Sequence, residues 1–284
     1  MPSSNVPTPG ANTPVLPKHP IHLTPGGNAQ KLSIIIPCFN EAETISTILD
    51  KVLEVKLING LEKEIIVIND CSTDDSGPII NNYIHAQSAA GIRYLTHETN
   101  QGKGASIQTG IRAATGDFLL IQDADLEYDP FDYNKLLGPM VRAHADVVYG
   151  SRFMGGNPHR ILFFWHTIGN RVLTFFCNMF SNLNLTDMET GYKLFKTSLI
   201  KQIPLRERRF GFEPEVTLKI SRIPGVKIYE VGISYYGRSY EEGKKIGLKD
   251  AFRCIFCLIK YSLFNSKARF ATTIQRVDPL IQQD

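Results

Sequence analysis

The sequence has no uninterrupted apolar stretch of the roughly 18–20 residues that a membrane-spanning helix requires. Its five cysteines, Cys38, Cys71, Cys177, Cys254 and Cys257, are an odd and scattered set. That argues against a disulfide framework and for a reducing compartment. Cys254 and Cys257 form a CxxC, but no second pair exists to complete a zinc site. Within the apolar run 252–263 they read as buried core thiols. No basic run is interleaved with aromatics, so no nucleic-acid track is expected. Gly102-Lys103-Gly104 lacks the earlier glycine of a Walker A loop and is not GxGxxG either. Residues 2–30 are rich in Pro, Ser, Thr, Asn and Gly and lack the apolar segment of a secretory leader, so 1–30 reads as a flexible tail.

What is present is ordinary for a globular chain. Of 284 residues, 43% are hydrophobic and 21% charged, enough for one large α/β domain. The net charge of +3 is mildly basic and suits an anionic ligand or an anionic lipid surface.

Apolar runs alternate with helical patterns. LSIIIP at 32–37, EIIVI at 64–68, 92–95, 117–121 and 147–149 read as strands. Helices are expected from Asn40 (as N-cap, with Glu43 three residues on) to about Val55, from about Gly77, and over 105–114. This β-α-β-α-β-α-β order predicts a doubly wound, mostly parallel sheet with flanking helices. In such sheets ligands bind beyond the carboxyl ends of the strands. Each polar cluster of the first half falls at such an end.

Asp123-Ala124-Asp125-Leu126-Glu127 follows a buried strand. An extended chain would put Asp123, Asp125 and Glu127 on one face, where they repel one another unless a cation intervenes. Hard oxygen ligands suit Mg²⁺ or Mn²⁺ bridging to phosphate. Asp70 ends the second strand and could accept from a base N–H or a ribose hydroxyl, or cap the next helix with Ser72 and Asp75. Lys103 stands at a helix start, where backbone N–H groups and an ammonium can approach phosphate.

Later in the chain, Arg152, His159, Arg160, His166 and Arg171 lie beside the apolar segment 161–185. A cationic pocket there would suit a phosphate carried by a lipid. Segment 250–264 is also apolar with interspersed charge. Both segments either lie in a membrane interface or pack on the sheet. Asp187 precedes a strand-like 193–195 and could hold an acceptor or act as a base. Arg238, Lys244 and Lys245 form a basic loop that could close on a diphosphate.

In this order, IIIPCFNEAETI, IVINDCSTDDS, NQGKGASIQTGI, DADLEYDP, GSRF and DMETGYKLF resemble the family-2 inverting glycosyltransferases of GT-A fold, most of all the dolichol- or polyprenol-phosphate mannosyltransferase branch. The resemblance spans about 31–240, with 241–284 left as a C-terminal amphipathic helix and tail. It implies a GT-A (Rossmann-like) domain that binds a nucleotide-sugar such as GDP-mannose or UDP-glucose with Mg²⁺ or Mn²⁺. Pro37, Phe39 and Glu41 match the nucleotide cradle, with Phe39 where Tyr is usual. Asp70 matches the carboxylate holding the base, and Lys103 a lysine near the nucleotide. Asp123 and Asp125 match the donor- and metal-binding aspartates, and Glu127 stands where Gln is frequent. Arg152 matches an arginine near the acceptor phosphate, while Arg238 and Lys244 resemble the closing loop. A lipid-phosphate acceptor implies a cytoplasmic enzyme at the cytosolic face of a membrane, touching it peripherally or through a membrane-protein partner. The same fold also serves glycosyltransferases with hydroxyl acceptors, for which Asp187 or Glu213 would be the base.

Overall fold

The computed structural model describes residues 30–87, 91–156, 158, 160, 164–238 and 248–263, the side chains of 248–251 and 263 excepted. The expected tail 1–29, His159, Lys244 and Lys245 lie outside the described residues.

Seven strands form one sheet: β1 (Lys31–Cys38), β2 (Glu62–Asn69), β3 (Ile92–Thr96), β4 (Phe118–Ile121), β5 (Val147–Ser151), β6 (Lys193–Lys196) and β7 (Ile228–Gly232). The helices are α1 (Ile45–Glu54), α2 (Ser76–Ala86), α3 (Lys103–Ala113), α4 (Tyr133–Arg142), α5 (Phe164–Ser181), α6 (Thr197–Ile200), α7 (Phe212–Ile220) and α8 (Leu248–Leu263). Strand order is β3-β2-β1-β4-β6-β5-β7. The first four strands are mutually parallel. β6 runs antiparallel to both β4 and β5, and β7 returns parallel to β5.

The central strands are continuous Ile, Val and Leu runs because both of their faces are covered. Leu32, Ile34 and Ile36 of β1 join the core shared with α1, α2 and α4. Ile35, one residue out of phase, joins the opposite core with α3, α5, α7 and α8. At the amino-terminal edge, Glu64 is buried but satisfied. It accepts from Ser33 Oγ at 2.5 Å, Thr115 N at 2.8 Å and Arg93 at 3.2 Å.

The first helix does not begin where the sequence suggests. Asn40 has a left-handed φ of 53° and no capping role. Its Oδ1 accepts from Thr73 N at 2.8 Å, and its own N–H donates to Ser72 Oγ at 3.1 Å, so the loop after β2 has claimed it. The helix starts at Ile45 instead. Neither Ser72 nor Asp75 caps α2 through its side chain. Asp74 Oδ1 accepts from Ser76 N at 3.0 Å.

Candidate active site

Four loops converge beyond the carboxyl ends of β1, β2, β4 and β5. Asp70, at the end of β2, is 2% exposed. Its carboxylate accepts from Gln101 N at 2.9 Å and Gly102 N at 2.7 Å, and lies 2.7 Å from His97 Nδ1. Asp70 therefore builds the glycine turn that precedes α3. His97, not singled out by the sequence reading, bridges Asp70 to Thr109, with Nε2 3.0 Å from the hydroxyl. The available signal was a histidine directly after β3, at the same sheet edge as the polar clusters.

Gly102 sits at a φ of 95°, which favours glycine. A Cβ there would meet Arg208 O at 2.6 Å, and one on Gly104 would meet Glu207 O at 2.5 Å. The 206–209 loop is thus pressed against the turn that carries Lys103.

Lys103 Nζ lies 2.7 Å from Asp123 Oδ1 and 3.9 Å from Glu213 Oε1. Burial works against its charge, but Asp123 and Glu213 outweigh it and hold the ammonium above its ordinary value. The acidic segment is not extended, contrary to the one-face argument. Leu126 turns the chain at a φ of 62°. The carboxylates still crowd together. Burial first, then Asp123 and Glu127, push the Asp125 carboxyl up to about 7 against the pull of Arg238 and Lys103.

Arg238 spans this acidic group. It contacts Glu41 at 3.2 and 3.3 Å and Asp125 at 3.1 Å. Its backbone N–H donates to Glu127 Oε1 at 2.7 Å, while Tyr235 OH donates to Glu127 Oε2 at 2.9 Å. Both Glu127 oxygens are therefore engaged, and the residue holds the 235–238 segment over the site. Pro37 lies at the end of β1 and Phe39 directly after that strand. Phe39 is exposed and Pro37 half-buried.

Among the described residues, no group of three or more His, Cys, Asp or Glu side chains is arranged to hold a metal by itself. The donor set nevertheless fits a hard divalent cation. Among the described residues, the ion pairs of Glu41, Asp123, Asp125 and Glu213 are with Lys103 and Arg238, and Asp125 is pushed up by burial and by the carboxylates of Asp123 and Glu127. Mg²⁺ is commonly held by one or two carboxylates plus substrate phosphates, not by a full protein cage.

On the other side, Arg152 makes a two-pronged ion pair with Asp187, Nε–Oδ2 2.7 Å and Nη2–Oδ1 2.8 Å. The Arg152 N–H also donates to Asp187 at 3.0 Å, as does Asn170 Nδ2. Asp187 is fully buried. Burial alone would raise its carboxyl. Arg152 and these donors override that and hold it below the usual carboxylate range. It is the counter-ion of Arg152, closed to solvent. Tyr235 lies under the guanidinium, 5.1 Å from the ring centroid.

Of the expected basic cluster, Arg160 lies against the 235–237 segment on which Arg152 also stacks. Arg160 Nη1 donates to Gly237 O at 3.3 Å, and Arg171 is exposed on α5. Cys254 and Cys257 are buried thiols, as the sequence indicates.

α5 and α8 each pack one face on the protein, through Leu173, Thr174 and Cys177, and through Cys254, Cys257 and Leu258. Among the described residues, their other faces carry exposed aromatic side chains. Trp165 is 77% exposed, Phe252 71% and Phe175 63%. Packing and an open apolar face thus coexist, where the sequence posed them as alternatives. No helix among the described residues is long and apolar enough to cross a membrane.

A mostly parallel sheet with one reversed strand matches the GT-A fold. The chain belongs to glycosyl transferase family 2, whose family model matches residues 33–204. Similar proteins include dodecaprenyl-phosphate galacturonate synthase of Rhizobium johnstonii, 24% identical over 82% of this chain and 67% of that protein. Dolichyl-phosphate beta-glucosyltransferase ALG5A of Trichomonas vaginalis is 28% identical over 82% of this chain and 73% of its own. Among solved structures, glucosyl-3-phosphoglycerate synthase from Mycobacterium tuberculosis, in complex with Mn²⁺, UDP and phosphoglyceric acid, shares the fold. Its TM-score is 0.63 at 19% identity, over 84% of this chain and 80% of that one. The same enzyme with Mn²⁺ and UDP-glucose gives a TM-score of 0.64 at 18% identity, over 82% and 79% of the two chains.

Proposed function

We propose that this glycosyltransferase moves a hexose from a nucleotide-sugar to a polyprenyl or dolichyl phosphate at a membrane surface. One observation carries the reading: an acidic donor site and a buried arginine–aspartate pair share one sheet edge with two helices whose outer faces are apolar. The relatives named for dolichyl and dodecaprenyl phosphate support it.

Asp123 and Asp125 would hold Mg²⁺ or Mn²⁺. When bound, the cation neutralises charge on the departing diphosphate. Lys103 and Arg238 are the cations that face that diphosphate from the protein side. Phe39, Pro37 and Glu41 line the nucleotide end, with Asp70 fixing the turn beneath it. Arg152 gives Nε and Nη2 to Asp187, leaving Nη1 for the acceptor phosphate. A phosphate oxygen attacks the anomeric carbon in line. The bond to the nucleoside diphosphate breaks, and its electron pair leaves with the diphosphate. A phosphate monoester with a second pKa of about 6 is already largely a dianion at neutral pH. It needs no protein base, which fits an Asp187 held ionised and closed off.

The test is transfer of label from GDP-mannose and, in parallel, UDP-glucose to a polyprenyl phosphate in detergent with Mg²⁺ or Mn²⁺. Label should reach the organic phase with the phosphate and not with the unphosphorylated polyprenol, and the productive donor names the sugar. Equal transfer to the alcohol, or transfer only to a soluble sugar hydroxyl, overturns the lipid-phosphate reading.

A further inference from the structure

Beside the turn that carries Lys103, the 206–209 loop opens one wall of a cleft of about 730 Å³. The 99–101 turn forms a second wall and α8 a third, through Arg253 and Lys260. The loop is held firmly. Arg206 N and Glu207 N donate to the buried Glu215 at 2.9 and 2.7 Å. Arg208 O accepts from Ala105 N at 2.9 Å, and Glu207 O accepts from Gln108 Nε2 at 2.8 Å. Glu207 itself points inward and accepts from Arg253 at 2.6 Å, Lys260 at 2.8 Å and Tyr261 OH at 2.8 Å.

The cleft therefore gathers five cations, and its one carboxylate serves only two of them. The side chains of Arg206, Arg208 and Arg209 are exposed and have no carboxylate partner among the described residues. Three like charges on a short, anchored loop repel one another, and a bound anion relieves that repulsion. Planar guanidinia also match phosphate oxygens in pairs. The third wall identifies the source of the anion. α8 carries Arg253 and Lys260 toward the cleft and Phe252, Phe256 and Ile259 to the open side. A phosphate bound here sits beside an exposed apolar face.

We propose that this cleft binds the phosphate of an anionic phospholipid headgroup, as a site separate from the one that takes the acceptor. The inference rests on the reading that the α5–α8 face meets a bilayer, and it adds a specific lipid chemistry to that contact. The loop also presses on Gly102 and Gly104, so headgroup binding would bear on the turn that carries Lys103.

The experiment measures partition of the full chain onto phosphatidylcholine vesicles with and without phosphatidylglycerol. Each basic residue at an anionic surface contributes about fivefold, so the ratio of the two affinities should be on the order of 100-fold for the three arginines. Arg206→Gln/Arg208→Gln/Arg209→Gln should collapse that ratio while leaving binding to the neutral vesicles intact. Single Arg206→Gln and Arg209→Gln variants should each lower it about fivefold, which keeps the test open if the triple variant fails to fold. An unchanged ratio in these variants overturns the cleft proposal and leaves the membrane reading standing. Phe252→Ser/Phe256→Ser should weaken binding to both vesicle types equally. A wild-type chain that binds neither vesicle overturns the membrane reading and the proposal with it. If glycerol phosphate or inorganic phosphate binds the lipid-free protein as tightly as the vesicles do, the ligand is a soluble phosphate and the lipid assignment falls.

Discussion

The two halves of the sheet solve different problems with different bonds. In the parallel half, β3-β2-β1-β4, the strands end in short polar loops whose charges face an open site. Asp125, with its carboxyl pushed up to about 7, is left short of positive charge. In and beside the mixed half, β6-β5-β7, two buried carboxylates, Asp187 and Glu215, are each closed by a cation. Asp187 is sealed by Arg152, and Glu215 accepts at 2.5 Å from Lys219 while also receiving two loop N–H groups. The first half is arranged to need a ligand's charges. The second is arranged to hold its own elements, and one arginine, in place. Charge left open is a mark of binding, and charge closed in the core is a mark of positioning.

Breaking the open half should hurt chemistry most. Asp125→Ala should lower kcat for sugar transfer by about 10²–10³-fold or more, with little loss of folding stability. Steady-state kinetics alongside urea denaturation would check both. In the closed half the order reverses. Asp187→Asn leaves Arg152 buried without a counter-charge and should cost roughly 3–5 kcal/mol in urea unfolding. Arg152→Met/Asp187→Leu should regain much of that stability but not the transfer rate.

A subtler contrast lies at Glu207, in the loop between α6 and α7. Burial opposes its ionisation, yet Lys260, Arg253 and Tyr261 together pull the carboxyl down to about 2. A value below that of the unfolded chain stabilises the fold above the ordinary carboxylate range, and the gain disappears as pH falls toward 2. Stability should therefore drop by about 2 kcal/mol between roughly pH 5 and pH 2 on this account, and Glu207→Gln should lack that part of the slope. The smallest effect on folding belongs to the exposed aromatics of the helix faces. Trp165→Ser/Phe175→Ser should change stability by no more than about 0.5 kcal/mol, yet weaken vesicle binding.

The same contrast explains what was legible in the sequence. Strands β1, β2 and β4 announce themselves by continuous Ile, Val and Leu runs, and the loops after them carry their motifs contiguously. Asp70, Lys103, Asp123 and Asp125 could be placed at one sheet edge from order alone. Their partners could not. Arg238 reaches Glu41 across 197 positions of chain, and His97 meets Asp70 across 27. Asn40 looked like a helix cap because local spacing cannot reveal that Thr73 would claim its side chain. The carboxylates of 123–127 looked extended because a left-handed Leu126 carries no local signature. In the closed half, the reversal of β6 and the burial of Asp187 depend on which strand inserts beside β4, which no periodicity encodes. The Arg206–Lys260 cleft joins segments more than forty residues apart, so no local motif marks it.

The central claim is that the acceptor brings its own nucleophile as a phosphate and the protein supplies no base. The pH dependence of kcat with a polyprenyl phosphate acceptor tests it most directly, in the wild type and in Glu213→Gln. The account predicts a rise with an apparent pKa of about 6 that belongs to the acceptor and is unmoved by the substitution. An apparent pKa that shifts or disappears in Glu213→Gln would place a base in the protein and contradict it.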